Sequence, residues 1–142
     1  MTKLPFETDL SASVAVVTGG AGVICSSFAK VIAKAGAKVA ILDLNGEAAE
    51  KLAEEINADG GCAIGLSANV LEKKSLEEAK AKVNDAFGKV DILINGAGGN
   101  NPKGTTSAEY YEMGDEDKEG LVSFFDLDPA GIEFVFNLNF LG

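Results

Sequence analysis

Three glycines and one aspartate are the residues of this chain whose spacing points most directly to chemistry. Gly19, Gly20 and Gly22 lie in the stretch Thr18-Gly19-Gly20-Ala21-Gly22, and Asp43 follows 24 residues after Gly19. Glycines in such a turn let the backbone bend tightly and come close to a ligand. A helix starting directly after them offers free N–H groups and a positive dipole end to a pyrophosphate. A carboxylate at this distance is placed to bind a ribose hydroxyl. The competing role for Asp43 is an N-cap for the next helix, but turn, helix and acid together favour the ribose. Val23 and Ile24, which lead from the turn into the helix, and Leu44, which follows the acid, border the same expected cleft. The plain Gly-x-Gly-x-x-Gly pattern is met only in part: Gly20-x-Gly22 is present and Cys25 stands third.

These residues need elements to hold them. Val14-Ala15-Val16-Val17 is short and β-branched, which predicts a buried strand ending at Thr18. Ile24, Phe28, Val31, Ile32 and Ala35 recur at helical spacing and predict a helix over 24–35 with that face inward, closed by Gly36. A second strand over 37–43 ends on Asp43. Asn45 caps a second helix, with Ala48, Ala49, Leu52, Ala53 and Ile56 on its apolar face. Residues 62–66 make a short third strand, 72–87 a third helix ended by Gly88, and 90–95 a fourth strand. The alternation predicts an α/β, Rossmann-type doubly wound parallel sheet with right-handed crossovers and strand order 3-2-1-4. Ligand binding is expected at the carboxyl ends of the strands, where the glycine turn, Asp43, Asn69 and 95–98 all fall.

Residues 1–12 read as a short arm. The segment 101–128 holds eight acids and two lysines and reads as an insertion, either a substrate lid or oligomer contact or a solvated excursion. Tyr110-Tyr111 and 121–125 are its expected apolar anchors. Asp128 and Pro129 start a last helix over 130–141, with Phe134, Leu138 and Leu141 on one face.

Composition narrows the function classes. A chain of 142 residues with 46% hydrophobic content is one domain's worth and can bury a core. A net charge of −10 is a poor match to nucleic acid or an anionic membrane. No apolar run is long enough to span a bilayer, and the first nine residues lack the apolar centre of a signal peptide. Cys25 and Cys62 are far apart and suit the reducing cytoplasm, with no metal motif. The absence of histidine removes His-based triads and His-ligated metals. Cys25 is expected to be structural, a small residue packed against the first strand.

Thr18-Gly19 after an apolar strand, Asp43 ending the second, and Asn95-Gly96-Ala97-Gly98 after a later one resemble the short-chain dehydrogenase/reductase family, in order and over the whole chain. Against that family's T-G-x-x-x-G-x-G, the second and third glycines fall on Val23 and Cys25. The resemblance implies a nucleotide-binding Rossmann domain over 1–142 and an oxidoreductase acting on a small molecule. It also implies a homo-oligomer, dimer or tetramer. By the same resemblance, Asn69-Val70 stands where Asp-Val lies near the adenine, with a helix cap as the other role for Asn69. Asn95, Gly96, Ala97 and Gly98 resemble N-N-A-G, with glycine at the second place, a stretch that supports the sheet and lines the cofactor cleft. Asn139 matches N-x-x-G, whose asparagine helps hold a water of the proton relay; a backbone-bonding role is its alternative.

Gly98-Gly99-Asn100-Asn101-Pro102, Phe124-Phe125-Asp126-Leu127 and 136–142 resemble the mannonate oxidoreductase group, which acts on sugar acids. The family's catalytic serine and Tyr-x-x-x-Lys do not occur in this chain: four residues on from Tyr110 and Tyr111 stand Gly114 and Asp115. The expectation is therefore the cofactor-binding half of a dehydrogenase, using NAD rather than NADP because Asp43 repels a 2′-phosphate and no cation follows in Leu44-Asn45-Gly46. A non-catalytic nucleotide-binding or regulatory module is the alternative, and a flavodoxin-like phosphate binder a distant third.

Overall fold

The computed structural model describes residues 8–142. The chain forms two compact units, one ending at Ala97 and one spanning Gly98–Gly142. The part of the expected arm before residue 8 lies outside the described residues. Its remainder is docked: Leu10 N–H donates to the Ala35 carbonyl at 2.8 Å and the side chain packs on the core.

The first unit alternates strand and helix: β1 (Val14–Thr18), α1 (Val23–Lys34), β2 (Lys38–Asp43), α2 (Gly46–Ala58), β3 (Cys62–Ser67), α3 (Lys73–Phe87) and β4 (Ile92–Asn95). All pairings are parallel, in the order β3-β2-β1-β4 expected of a Rossmann sheet. The buried strands β1 and β2 read as near-continuous apolar runs because both their faces are covered. Ala15, Val17, Val39 and Ile41 point to one face, with α1 and α2. Val14, Val16, Ala40 and Leu42 point to the other, with Ala79 and Val83 of α3. On β3, a Cβ at Gly65 would overlap the backbone of Ala49, so this glycine lets α2 lie close on the sheet.

Helix α1 corrects the sequence expectation. Its inward face is Cys25, Ala29 and Ala33, with Ile32 partly buried, while Ile24, Phe28 and Val31 are exposed. The helical period is right and its phase is off by one residue. A helix entered through a tight turn from β1 lies so close to the sheet that only small side chains fit beneath it. The expected strand starts at 37 and 90 move to Lys38 and Ile92, and β3 runs one residue further, to Ser67.

The second unit holds three short 3-10 turns, Pro102–Gly104, Asp115–Asp117 and Phe124–Asp126, then α4 (Pro129–Phe136), capped by Asp128 at Ala130 N–H. The expected helix over 130–141 gives way at Asn137–Leu141 to a π turn, closed by Gly142 N–H to the Asn137 carbonyl at 2.9 Å. The Asn139 amide nitrogen donates to the Val135 carbonyl at 2.8 Å, an insertion of a side chain into the helical ladder of the kind that bends helices. Gly131 is buried where any Cβ would overlap the Lys103 and Gly104 backbone, so α4 meets the Pro102–Gly104 turn main chain to main chain.

Candidate functional site

The first unit brings the glycine turn, Asp43, Asn69 and Asn95–Ala97 to the carboxyl ends of its four strands. At the centre is the β1–α1 turn. Gly19 has φ +59°, and a Cβ there would lie 2.8 Å from the Gly96 carbonyl oxygen, so glycine is required on both counts. Gly20 is buried and donates to the Leu42 carbonyl at 3.1 Å, tying the turn to β2. Gly22 is the N-cap of α1, with no side chain capping the helix. A Cβ at Gly22 would meet one heavy atom only, the Gly19 carbonyl oxygen at 3.1 Å, so the space outside the turn is open. Val23 and Ile24 stand exposed beside it, as does Leu44 across the end of β2.

Asp43 is held by the backbone on both oxygens. Oδ2 accepts from Ala21 N–H at 3.0 Å and Oδ1 from Asn45 N–H at 3.0 Å. It does not cap α2: that is Asn45, whose side chain accepts from Ala48 N–H at 3.2 Å. Ala21 was not singled out by its sequence; its place inside the glycine turn was the available signal. Thr18, buried at the end of β1, accepts from Gly96 N–H at 3.1 Å and Ala97 N–H at 3.2 Å through Oγ1. One hydroxyl thus fastens the first turn to the end of β4.

Asn69 makes local bonds: Oδ1 accepts from Leu71 N–H at 3.1 Å, and Nδ2 donates to Glu72 Oε1 at 2.9 Å. Its geometry is that of an Asx turn leading into α3. Val70 beside it is half-buried.

Gly98 and Asn139 belong to the second unit. Asn139 brackets Gly99, accepting its N–H on Oδ1 at 3.0 Å and donating to its carbonyl from Nδ2 at 2.7 Å. A Cβ on Gly98 would come 2.7 Å from Asn139 Oδ1. The Asn139 side chain is thus occupied with main chain.

The insertion surrounds a cavity of about 540 Å³ walled by Tyr110, Tyr111, Leu121, Val122, Phe124 and Phe125. The aromatic pairs expected as buried anchors are instead mostly exposed, Phe125 at 91%. Polar bonds hold the segment: Ser107 N–H to the Val122 carbonyl at 2.9 Å, a reciprocal cap between Ser123 and Asp126, and Asp115. Asp115 is buried, accepting from Lys118 Nζ and Glu112 N–H, each at 2.7 Å. The Lys118 ammonium and then the Glu112 amide hold its carboxyl below the usual range, and Asp115 raises the Lys118 ammonium in return. Lys103, the other cation of this unit, lies 3.6 Å from Asp128. Among the described residues no three Cys, Asp or Glu side chains gather to hold a metal, and no helix is long and apolar enough to cross a membrane.

Comparison with known proteins fits this geometry. The family described as short chain dehydrogenase matches residues 13–142. The chain belongs to that family. An uncharacterised oxidoreductase of Haemophilus influenzae is 52% identical over 127 residues, 89% of this short-chain dehydrogenase sequence and 44% of the relative. The uncharacterised oxidoreductase UxuB of Bacillus subtilis is 45% identical, over 98% of this chain and 49% of its own. Among solved structures, a Haemophilus influenzae protein provisionally described as a D-mannonate oxidoreductase, with bound NAD, superposes with a TM-score of 0.88. It is 49% identical, over 94% of this chain and 47% of that one. A hydroxysteroid dehydrogenase from Escherichia coli gives a TM-score of 0.64 at 27% identity, covering 90% of this chain and 51% of its own. The short-chain dehydrogenase chain spans about half the length of these relatives.

Proposed function

We propose that this chain is the NAD-binding portion of a short-chain oxidoreductase that interconverts an alcohol and a ketone on a sugar acid of the mannonate–fructuronate kind. The observation that carries the cofactor reading is Asp43. Two backbone N–H groups fix its carboxylate at the end of β2, next to the uncapped N-terminus of α1. Each oxygen keeps lone pairs for the two ribose hydroxyls. The open side of Gly22 and the first-turn N–H groups suit the pyrophosphate. Val23, Ile24 and Leu44 supply apolar walls. Gly96 and Ala97, fastened by Thr18, line the far side, Gly98 follows them in the chain, and Asn69 and Val70 border the adenine. Asn139, within the π turn Asn137–Leu141, acts by holding Gly99.

Hydride transfer is the chemistry a bound nicotinamide supplies. The proton needs a separate acid and base, and neither Tyr110 nor Tyr111 has the lysine partner four residues on. The sugar-acid substrate rests on the resemblance of 98–102, 124–127 and 136–142 and on the description of the Haemophilus influenzae relative. Cys25 and Cys62 are both unpaired thiols, which supports a reducing cytoplasmic setting.

Calorimetric titration with both cofactors is the test. NAD binding at least about ten-fold tighter than NADP is expected, since a 2′-phosphate beside Asp43 meets like charge. Asp43→Ala should narrow the gap. Equal affinities, or tighter NADP, would overturn the reading.

A further inference from the structure

Two residues at which this chain leaves the patterns quoted above meet in space. Cys25 stands for the third glycine of the turn motif, and Gly96 for the second asparagine of N-N-A-G. Cys25 lies in the first turn of α1 and is 8% exposed. Gly96 directly follows β4, which ends at Asn95. A Cβ built on Gly96 would overlap Cys25 Sγ, while Cys25 Cβ would be at an ordinary 3.6 Å. Gly96 has no positive φ, so its backbone conformation does not call for glycine. What excludes a side chain is space, which the sulfur and the Thr18 carbonyl oxygen fill between them. The one other close atom is the Thr18 carbonyl oxygen at 2.8 Å, on the same turn.

We propose that Cys25 and Gly96 are a matched pair that sets the spacing between the glycine turn and the end of β4, with Cys25 a positioning residue of the cofactor turn. The sulfur wedges between the start of α1 and Gly96 just where the Thr18 hydroxyl draws the Gly96 and Ala97 amides inward. Hydrogen bonds pull the two segments together and the sulfur stops their approach. An interior packed to crystal density transmits such a stop to the backbone around it. The functional half of this claim rests on reading the turn as the NAD site; the packing half does not.

The experiment is a double-mutant cycle with Cys25→Ala and Gly96→Ala in the intact protein, read by thermal midpoint and by NAD titration. Gly96→Ala alone is expected to lower the midpoint by roughly 5–10 °C, the shift that overpacking produces in a domain of this size. It is also expected to weaken NAD about ten-fold through misplacement of the turn. Removing the sulfur in the same protein should restore part of both losses, the Thr18 carbonyl contact remaining, and Cys25→Ala alone, which lets the two segments close up, should weaken NAD several-fold. Additive losses in the double variant would overturn the pairing. If Gly96→Ala does not fold, a folded double variant supports the pairing and an unfolded one refutes it. Recovery of the midpoint without recovery of NAD affinity would leave a packing pair and sink the positioning role. If the unaltered chain binds no NAD, the proposed function and the positioning role both fail, while the thermal cycle alone still decides the packing pair.

Discussion

Asp115 shows what a single residue does in the insertion. Its carboxylate holds the Glu112 amide and the Lys118 ammonium at the wall of the aromatic cavity. Folding lowers its pKa, so the stabilisation it provides is present above the unfolded carboxylate value and is lost as pH falls through the folded one. Lys118 is raised, so its share is present below the unfolded amine value and lost as pH climbs through the folded one. Order in 106–125 should therefore hold from mildly acidic to mildly alkaline pH and loosen below about 3.8, the ordinary carboxylate value. Proteolysis of the segment at a series of pH values checks this. Asp115→Asn should abolish the acid-side dependence and raise cleavage at neutral pH. None of this was legible in the sequence, where the acids of 101–128 look alike and nothing distinguishes the one that folds inward.

At the scale of elements, helix α1 separates what a sequence can tell from what it cannot. Its existence, its glycine entry and its stop at Gly36 were readable, because local chain chemistry decides them. The buried face was not, since Cys25, Ala29 and Ala33 are less hydrophobic than the Ile24, Phe28 and Val31 they displace inward. The distance between helix and sheet chooses the face, and that distance is a tertiary property. Ala29→Leu should therefore cost about 1–3 kcal/mol by overpacking, and Val31→Ser roughly 0.5 kcal/mol, despite the larger hydrophobicity lost at 31. Urea melts of the two variants of the intact protein decide between the phases. A costlier Val31→Ser would restore the face expected from periodicity. Asp43 repeats the lesson: its place at the end of β2 was legible from spacing, but its bond to Ala21 depends on how the turn folds back.

For the molecule as a whole, the order 3-2-1-4 was legible because alternating elements and right-handed crossovers leave few arrangements. In the four-stranded sheet β4 is an edge, and Leu93 on it is 59% exposed. Phe134, Phe136 and Phe140 are also exposed, at 41%, 62% and 80%. An unpaired apolar edge with such surfaces invites association. Expressed alone, residues 1–142 should associate at micromolar concentration and show no NAD-linked turnover on a panel of sugar acids. A soluble, cooperatively melting monomer would refute the first expectation. Turnover above a protein-free control would refute the second and reveal a general acid within this chain.

The Thr18 hydroxyl carries one more consequence, in time rather than in space. Its partner at Gly96 lies 78 residues along the chain. The turn therefore cannot be locked until two strands and three helices have been made and laid down between β1 and β4. Closing so long a loop is slow, and contacts of such separation form late. In refolding from denaturant, helical signal should recover before NAD affinity, which should appear only in the slowest phase. On the ribosome, a nascent chain would carry the whole glycine motif and remain unable to grip a nucleotide until β4 had emerged.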